Sequence, residues 1–216
     1  MTSTTTAQIT TTRVGPMDNG SYLISADGDA LLIDAAAEAD RLLAVADDLD
    51  VRITDVLTTH RHHDHVGALP DVLSATGARH HASVQDAPEL PSAVDQTWGD
   101  HPDIDKPRNL EFSSDALNGL GLQYVLLRGH TEGGLAVILS PTNAQDGRPH
   151  LFSGDSLFPG GVGKTDDAEA FNQLLDDVTA RCFVLPDETV IHPGHGDASR
   201  IGAERPHLAD WRERGW

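Results

Sequence analysis

The sequence predicts an α/β layered domain in which two sheets pack together with helices outside. Three observations lead there. The first apolar runs, 22–24 and 30–33, flank an Asp27-Gly28-Asp29 turn and read as a hairpin. Later apolar runs alternate with stretches at helical spacing. Four of these runs end in histidine or aspartate beside glycine.

The elements follow in order. Residues 35–49 place Leu42, Leu43, Val45, Ala46 and Leu49 at the spacing of an amphipathic helix. Residues 53–58 form a β-branched apolar run that reads as a buried strand. A short helix is expected over 66–75, stopping at Gly77, and a short strand over 78–83. Residues 87–114 are irregular, because Pro88, Pro91, Pro102 and Pro107 break any long element; the segment is either a surface excursion or a lid. Strands are expected over 122–127, 135–139 and 151–153, with a polar turn over 143–149. A helix over 168–179, a strand at 190–191 and a closing helix over 204–212 complete the chain.

Composition bounds the function. The chain has 216 residues, 38% of them apolar, and a net charge of -19. That acidity reads mostly as a solvated face and argues against a nucleic-acid partner, which calls for a basic surface. No apolar run approaches membrane-spanning length, so no membrane partner is expected. Residues 1–8 are Thr/Ser-rich, with neither a basic region nor an apolar core. They read as a flexible tail rather than a signal peptide, ahead of a single domain over 9–216. Cys182 is the only cysteine, which excludes an intrachain disulfide and fits a reducing, cytoplasmic location. The oligomeric state leaves no trace in the sequence.

The chemistry concentrates behind the 53–58 run, in Thr59-His60-Arg61-His62-His63-Asp64-His65. In an extended segment His60, His62 and Asp64 share one face, while His63 and His65 share the other. A turn at Gly67 lets His65 rejoin the first set. Imidazole and carboxylate suit zinc, and also iron or manganese, and the cluster could serve one ion or be shared between two. Three further turns repeat the design: Gly129-His130-Thr131, Gly154-Asp155-Ser156 and Pro193-Gly194-His195-Gly196.

This ordered set, spanning roughly 22–195, resembles the metal-binding pattern of the metallo-β-lactamase superfamily. The resemblance implies a four-layer αββα sandwich and two divalent metal ions, zinc before iron or manganese. By it His60, His62 and His130 hold one ion; Asp64, His65 and His195 hold the other; and Asp155 bridges. Asp64-His65 followed by Asp155 is similar to the glyoxalase II branch, as is the segment 154–165. In that branch a basic residue at the position of Lys164 binds a carboxylate of the thiol carrier. Residues 193–205 resemble the short bacterial members, which lack the helical C-terminal domain that helps bind glutathione, so the carrier stays open. Gly129-His130-Thr131-Glu132-Gly133-Gly134 departs from the common form at Glu132, where proline is usual, and at Gly134, where a hydroxyl is lost.

The function implied is hydrolysis of a small hydroxyacyl thioester by a hydroxide shared between the ions. Asp64 is the catalytic residue that orients the hydroxide and takes its proton. An alternative is a persulfide dioxygenase using a single iron on His60, His130 and Asp155, although such enzymes usually carry arginine where Lys164 stands. A non-catalytic scaffold is disfavoured because the whole ligand set is present. His63, His80, His81, His101, His150, His192 and His207 are expected at the surface or in packing, His192 on a strand wall or orienting a ligand. Asp34 is expected to play a structural hydrogen-bonding role.

Overall fold

The structure is a computed structural model that describes residues 5–101, 103 and 106–215. Residues 1–4 of the expected tail, and Pro102, lie outside the described residues.

The first half forms β1 (Gln8–Val14), β2 (Asn19–Ala26), β3 (Asp29–Ile33), α1 (Ala39–Asp48), β4 (Arg52–Leu57), α2 (Leu69–Thr76), β5 (Arg79–Ser83) and β6 (Gln96–Trp98). Its sheet runs in the order β1-β2-β3-β4-β5-β6, antiparallel through the β2–β3 hairpin and parallel from β3 onward. The second half adds β7 (Arg108–Asn109), α3 (Asp115–Gly119), β8 (Gln123–Leu127), β9 (Gly134–Leu139), β10 (His150–Gly154), β11 (Leu157–Phe158), β12 (Gly161–Val162), α4 (Ala168–Arg181), β13 (Val190–Pro193), β14 (Ser199–Arg200), α5 (Ile201–Glu204) and α6 (Leu208–Arg214). The second sheet is ordered β14-β13-β10-β9-β8-β7, and β11 and β12 make a small separate hairpin.

The two-residue period of the strands builds four layers. In β3, Leu31 and Ile33 face the second sheet, whereas Ala30 and Leu32 face α1 and α2. In β9, Leu135, Val137 and Leu139 join the core between the sheets, whereas Ala136 and Ile138 pack toward α4. Both faces of each sheet are covered, which is why the central strands read as unbroken apolar runs. Truncating a fully buried member such as Leu31 to alanine costs about 2–5 kcal/mol.

Several expectations are corrected. The tail ends before Gln8: Ala7 is 1% exposed and exchanges backbone hydrogen bonds with Asn143 and Gln145, and Gln8 already belongs to β1. The first helix starts at Ala39 rather than 35, because Asp34 (φ 57) and Glu38 (φ 55) are left-handed and cannot continue a helix. The closing helix is two, α5 and α6, joined by a 3-10 turn at Arg205–His207 that carries Pro206. In the 87–114 segment, β6 pairs with β5, β7 pairs with β8, and Leu110 and Phe112 are buried between the sheets. Its described residues thus cross from the edge of one sheet to the edge of the other.

Candidate metal centre

The ligand-bearing loops gather at one end of the sandwich. Asp34 follows β3, Thr59 to His65 follow β4, His130 sits in the β8–β9 turn, Asp155 follows β10 and His195 follows β13. The donor atoms converge as His60/His62/His130, as His60/His65/Asp155 and as Asp64/His65/His195, each set within 4.8 Å. His60 Nε2 is 3.1 Å from His62 Nδ1, and His65 Nε2 is 3.3 Å from His195 Nε2. Asp155 lies between the sets. Its Oδ1 is 3.2 Å from His65 Nε2, and its Oδ2 is 3.4 Å from His195 Nε2 and 3.6 Å from His130 Nε2. Asp64 Oδ2 is 3.1 Å from His195 Nε2.

The outward nitrogens explain this orientation. His60 Nδ1 donates to Thr59 Oγ1 (3.1 Å), His65 Nδ1 to Asp34 Oδ2 (2.8 Å), His130 Nδ1 to the Lys164 carbonyl (2.6 Å) and His195 Nδ1 to the Met17 carbonyl (3.0 Å). Each leaves Nε2 facing the cluster, the arrangement of imidazoles that hold a cation. His62 instead turns Nδ1 inward. Inward lone pairs this close repel unless a proton or a cation lies between them. His130 Nε2 and Asp155 Oδ1 are also buried without hydrogen-bond partners, a costly state that a bound cation relieves. The residues therefore fit a divalent-metal site.

The ionisation of the cluster follows from its burial and its mutual contacts. Burial, reinforced by His65, His130 and His62, holds His60 well below the usual histidine range, so it presents a neutral lone pair. Burial alone would raise the Asp155 carboxyl, but the His195 and His65 imidazoles hold it far below the usual carboxylate range. Burial likewise opposes ionisation of Asp64, and is outweighed by the hydrogen bond from Asn19 and the charge of His65. Burial would depress His65, yet the Asp34 and Asp155 carboxylates carry it to about 10, so without a cation it is an imidazolium and metal binding at Nε2 must displace that proton.

Asp34 plays the structural role expected. Its carboxylate accepts from Thr59 N and Thr59 Oγ1, both at 2.7 Å, and from His65. These bonds hold its left-handed backbone and aim the start of the histidine loop. Tyr22 donates to the Pro193 carbonyl at 2.6 Å and so fixes the loop before His195; burial pushes its hydroxyl up to about 12.

The other histidines fall as expected. His63 is 95% exposed at its side chain. His80 bonds Thr58, His81 pairs with Asp55, His101 bonds Arg108, and His207 is exposed. His192 is a strand-wall residue that bonds His150 and stacks on Phe152. Lys164 holds His130 through its carbonyl while its side chain is exposed.

Sequence reasoning missed Asn19, which donates to Asp64 Oδ2 at 3.0 Å, and Asp86, which bonds both Arg61 and Thr131. Neither belongs to a motif that could have signalled it.

The sequence matches the Metallo-beta-lactamase superfamily over residues 14–195. It is 34% identical over 182 residues to a hydroxyacylglutathione hydrolase of Polaromonas sp., covering 82% of this chain but only 62% of that protein's length. It is 30% identical to the hydroxyacylglutathione hydrolase GloC of Haemophilus influenzae, covering 87% of this chain and 89% of that one. The fold superposes on the crystal structure of ETHE1 from Myxococcus xanthus with a TM-score of 0.74 and 26% identity, covering 95% and 85% of the two chains.

Proposed function

Because the chain belongs to the metallo-beta-lactamase superfamily, we propose that it is a metal-dependent hydrolase of a small hydroxyacyl thioester, like glyoxalase II. The observation that carries this reading is the position of Asp155 between the His60/His62/His130 and Asp64/His65/His195 sets, within reach of both.

In this reading each set holds one divalent cation, zinc before iron or manganese. Bound there, the pair would supply a Lewis acid for the thioester carbonyl and lower the pKa of water toward neutrality. The chain's own residues do the rest. Asn19 occupies one lone pair of Asp64 Oδ2 and fixes the carboxylate. Ionised Asp64 orients the attacking water and takes its proton. The new C–O bond forms as the C–S bond breaks, and that proton passes to the departing thiolate, giving an acid and a thiol. The carbonyl of Lys164 keeps His130 in place, while its exposed ammonium meets a carboxylate of the carrier. A cytoplasmic location is part of the reading, supported by the single, buried Cys182. No described helix is long and apolar enough to cross a membrane.

The second reading, a mononuclear iron persulfide dioxygenase, is favoured by the structural similarity to ETHE1. Its two-histidine, one-carboxylate set would be His60, His130 and Asp155. These three residues also approach one another, His130 Nε2 standing 3.6 Å from Asp155 Oδ2, so activity rather than donor geometry divides the two readings. Assaying thiol release from hydroxyacyl thioesters beside persulfide-dependent oxygen uptake separates the two. Thioester turnover without oxygen uptake is the expected result.

A further inference from the structure

Two loops from different sheets must meet for His60, His62 and His130 to share an ion, and Asp86 lies under their junction. Its side chain is 1% exposed. Oδ2 accepts from the backbone N–H of Arg61 at 3.1 Å and from Thr131 Oγ1 at 2.8 Å. Oδ1 accepts from Arg61 Nη1 at 3.1 Å. Arg61 stands between His60 and His62, and Thr131 follows His130, so one carboxylate oxygen ties both ligand loops together.

The junction is tight. The backbone N–H of Asp86 donates to Ser83 Oγ at 3.1 Å, which anchors it to the end of β5. A Cβ on Gly133 would stand 2.0 Å from Ser83 Oγ and 3.0 Å from Asp86 Cγ, so the His130 turn rests directly on this pair. The Leu135 N–H also crosses between the sheets, from β9 to the Thr59 carbonyl at 2.8 Å, a tie that reaches the start of the histidine loop but not the His130 turn. A buried carboxylate with donors from both loops and one guanidinium is fully satisfied in this single arrangement.

We infer that Asp86 is a positioning residue: it sets the separation of the His60/His62 loop from the His130 loop, and through it the affinity of that ligand set for its cation. The inference rests on the metal-centre reading. It holds for either proposed reaction, because His60 and His130 are ligands in both.

The test is zinc binding by the full-length chain, stripped of metal and titrated against a chromophoric chelator, with no substrate present. Asp86→Ala is expected to weaken the tightest binding that depends on His60 by roughly 10- to 100-fold, the usual effect of losing a residue that orients a ligand. Asp86→Asn, which keeps the shape and one acceptor oxygen, is expected to fall between Asp86→Ala and the parent. Thr131→Val cuts only one arm of the bridge and guards against a misfolded Asp86→Ala; it is expected to weaken the same step by a smaller factor. A step retained in a His195→Ala background identifies the set concerned. Unchanged zinc affinity in both Asp86→Ala and Thr131→Val overturns the inference. So does equal weakening of every binding step, which would mark a general structural role. A parent that binds zinc but hydrolyses no thioester would fail the proposed function and leave this inference standing.

Discussion

Gly194 lies so close to Asp155 that a Cβ on it would stand 2.0 Å from Asp155 Oδ1 and 2.6 Å from His65 Cε1. The backbone after β13 therefore forms one wall of the ligand cluster, and only glycine leaves Asp155 its place between the two sets. Gly194→Ala must push Asp155 or the loop aside. A displacement of about 1 Å at a reacting centre costs roughly 100-fold in rate, so kcat/KM is expected to fall by at least that much, with metal content falling too. Parental kcat/KM and parental metal content would remove Asp155 from the bridging role.

His62→Ala tests the three-histidine set without disturbing the core. The His62 ring touches His60 and His130 and is half-buried. Hydrolysis is expected to disappear while the far-UV circular dichroism stays parental. The metal-free protein should keep its thermal midpoint to within about 2–4 °C, corresponding to about 1 kcal/mol. Thioester turnover that survives in a variant shown to have lost metal would sink the two-ion mechanism.

The fold was legible wherever strands are covered on both faces. β9 is buried at every position, and such strands announce themselves as apolar runs. β1 was not legible: in Gln-Ile-Thr-Thr-Thr-Arg-Val only Ile9 and Val14 are apolar, because an edge strand is partly exposed. The start of α1 was hidden as well, since the left-handed backbone of Asp34 is held by partners on β4 and its following loop that no local pattern names. The candidate ligands stood out because each is a histidine or aspartate at the end of an apolar run beside glycine. Asn19 and Asp86 did not, because their roles exist only once loops from distant parts of the chain have met. The 87–114 segment misled for a related reason. Prolines show that no long element forms there, but not that Leu110 and Phe112 turn inward.

Lys164 is exposed, so any ion pair it makes with a substrate carboxylate is solvent-screened. Such pairs contribute about 0.2–1 kcal/mol. Lys164→Ala is therefore expected to raise KM for a carboxylate-bearing thioester by about 1.4- to fivefold, with a smaller change in kcat. Its carbonyl, which holds His130, survives the substitution. Steady-state kinetics against a thioester lacking the carboxylate provide the control. Identical KM values for variant and parent on both substrates would exclude the side chain from the substrate site.

His192 gives the stability an acid-side slope. Burial, with His150 and Arg13 nearby, lowers it to about 3. In the unfolded chain it titrates near the ordinary histidine value of about 6.5. The folded-state value is the lower one, so its contribution is complete above about pH 6.5 and is lost as pH falls toward 3, where the unfolded chain binds a proton that the native state refuses. His192→Gln is expected to flatten the dependence of unfolding free energy on pH between about 6 and 4, by up to about 1.4 kcal/mol per pH unit. Chemical denaturation of metal-free parent and variant across that range measures it. Parallel curves would show that His192 titrates normally in the folded protein.

Metal identity and stoichiometry decide whether the chain carries a two-ion centre that hydrolyses a thioester. The measurement uses tag-free protein purified without added metal or chelator, with thioester hydrolysis followed on the same sample. About two zinc-like ions per chain, with turnover that stops on chelation and returns with zinc, is the expected result. Close to one iron per chain with zinc absent, and persulfide-dependent oxygen uptake in place of thioester turnover, would contradict it.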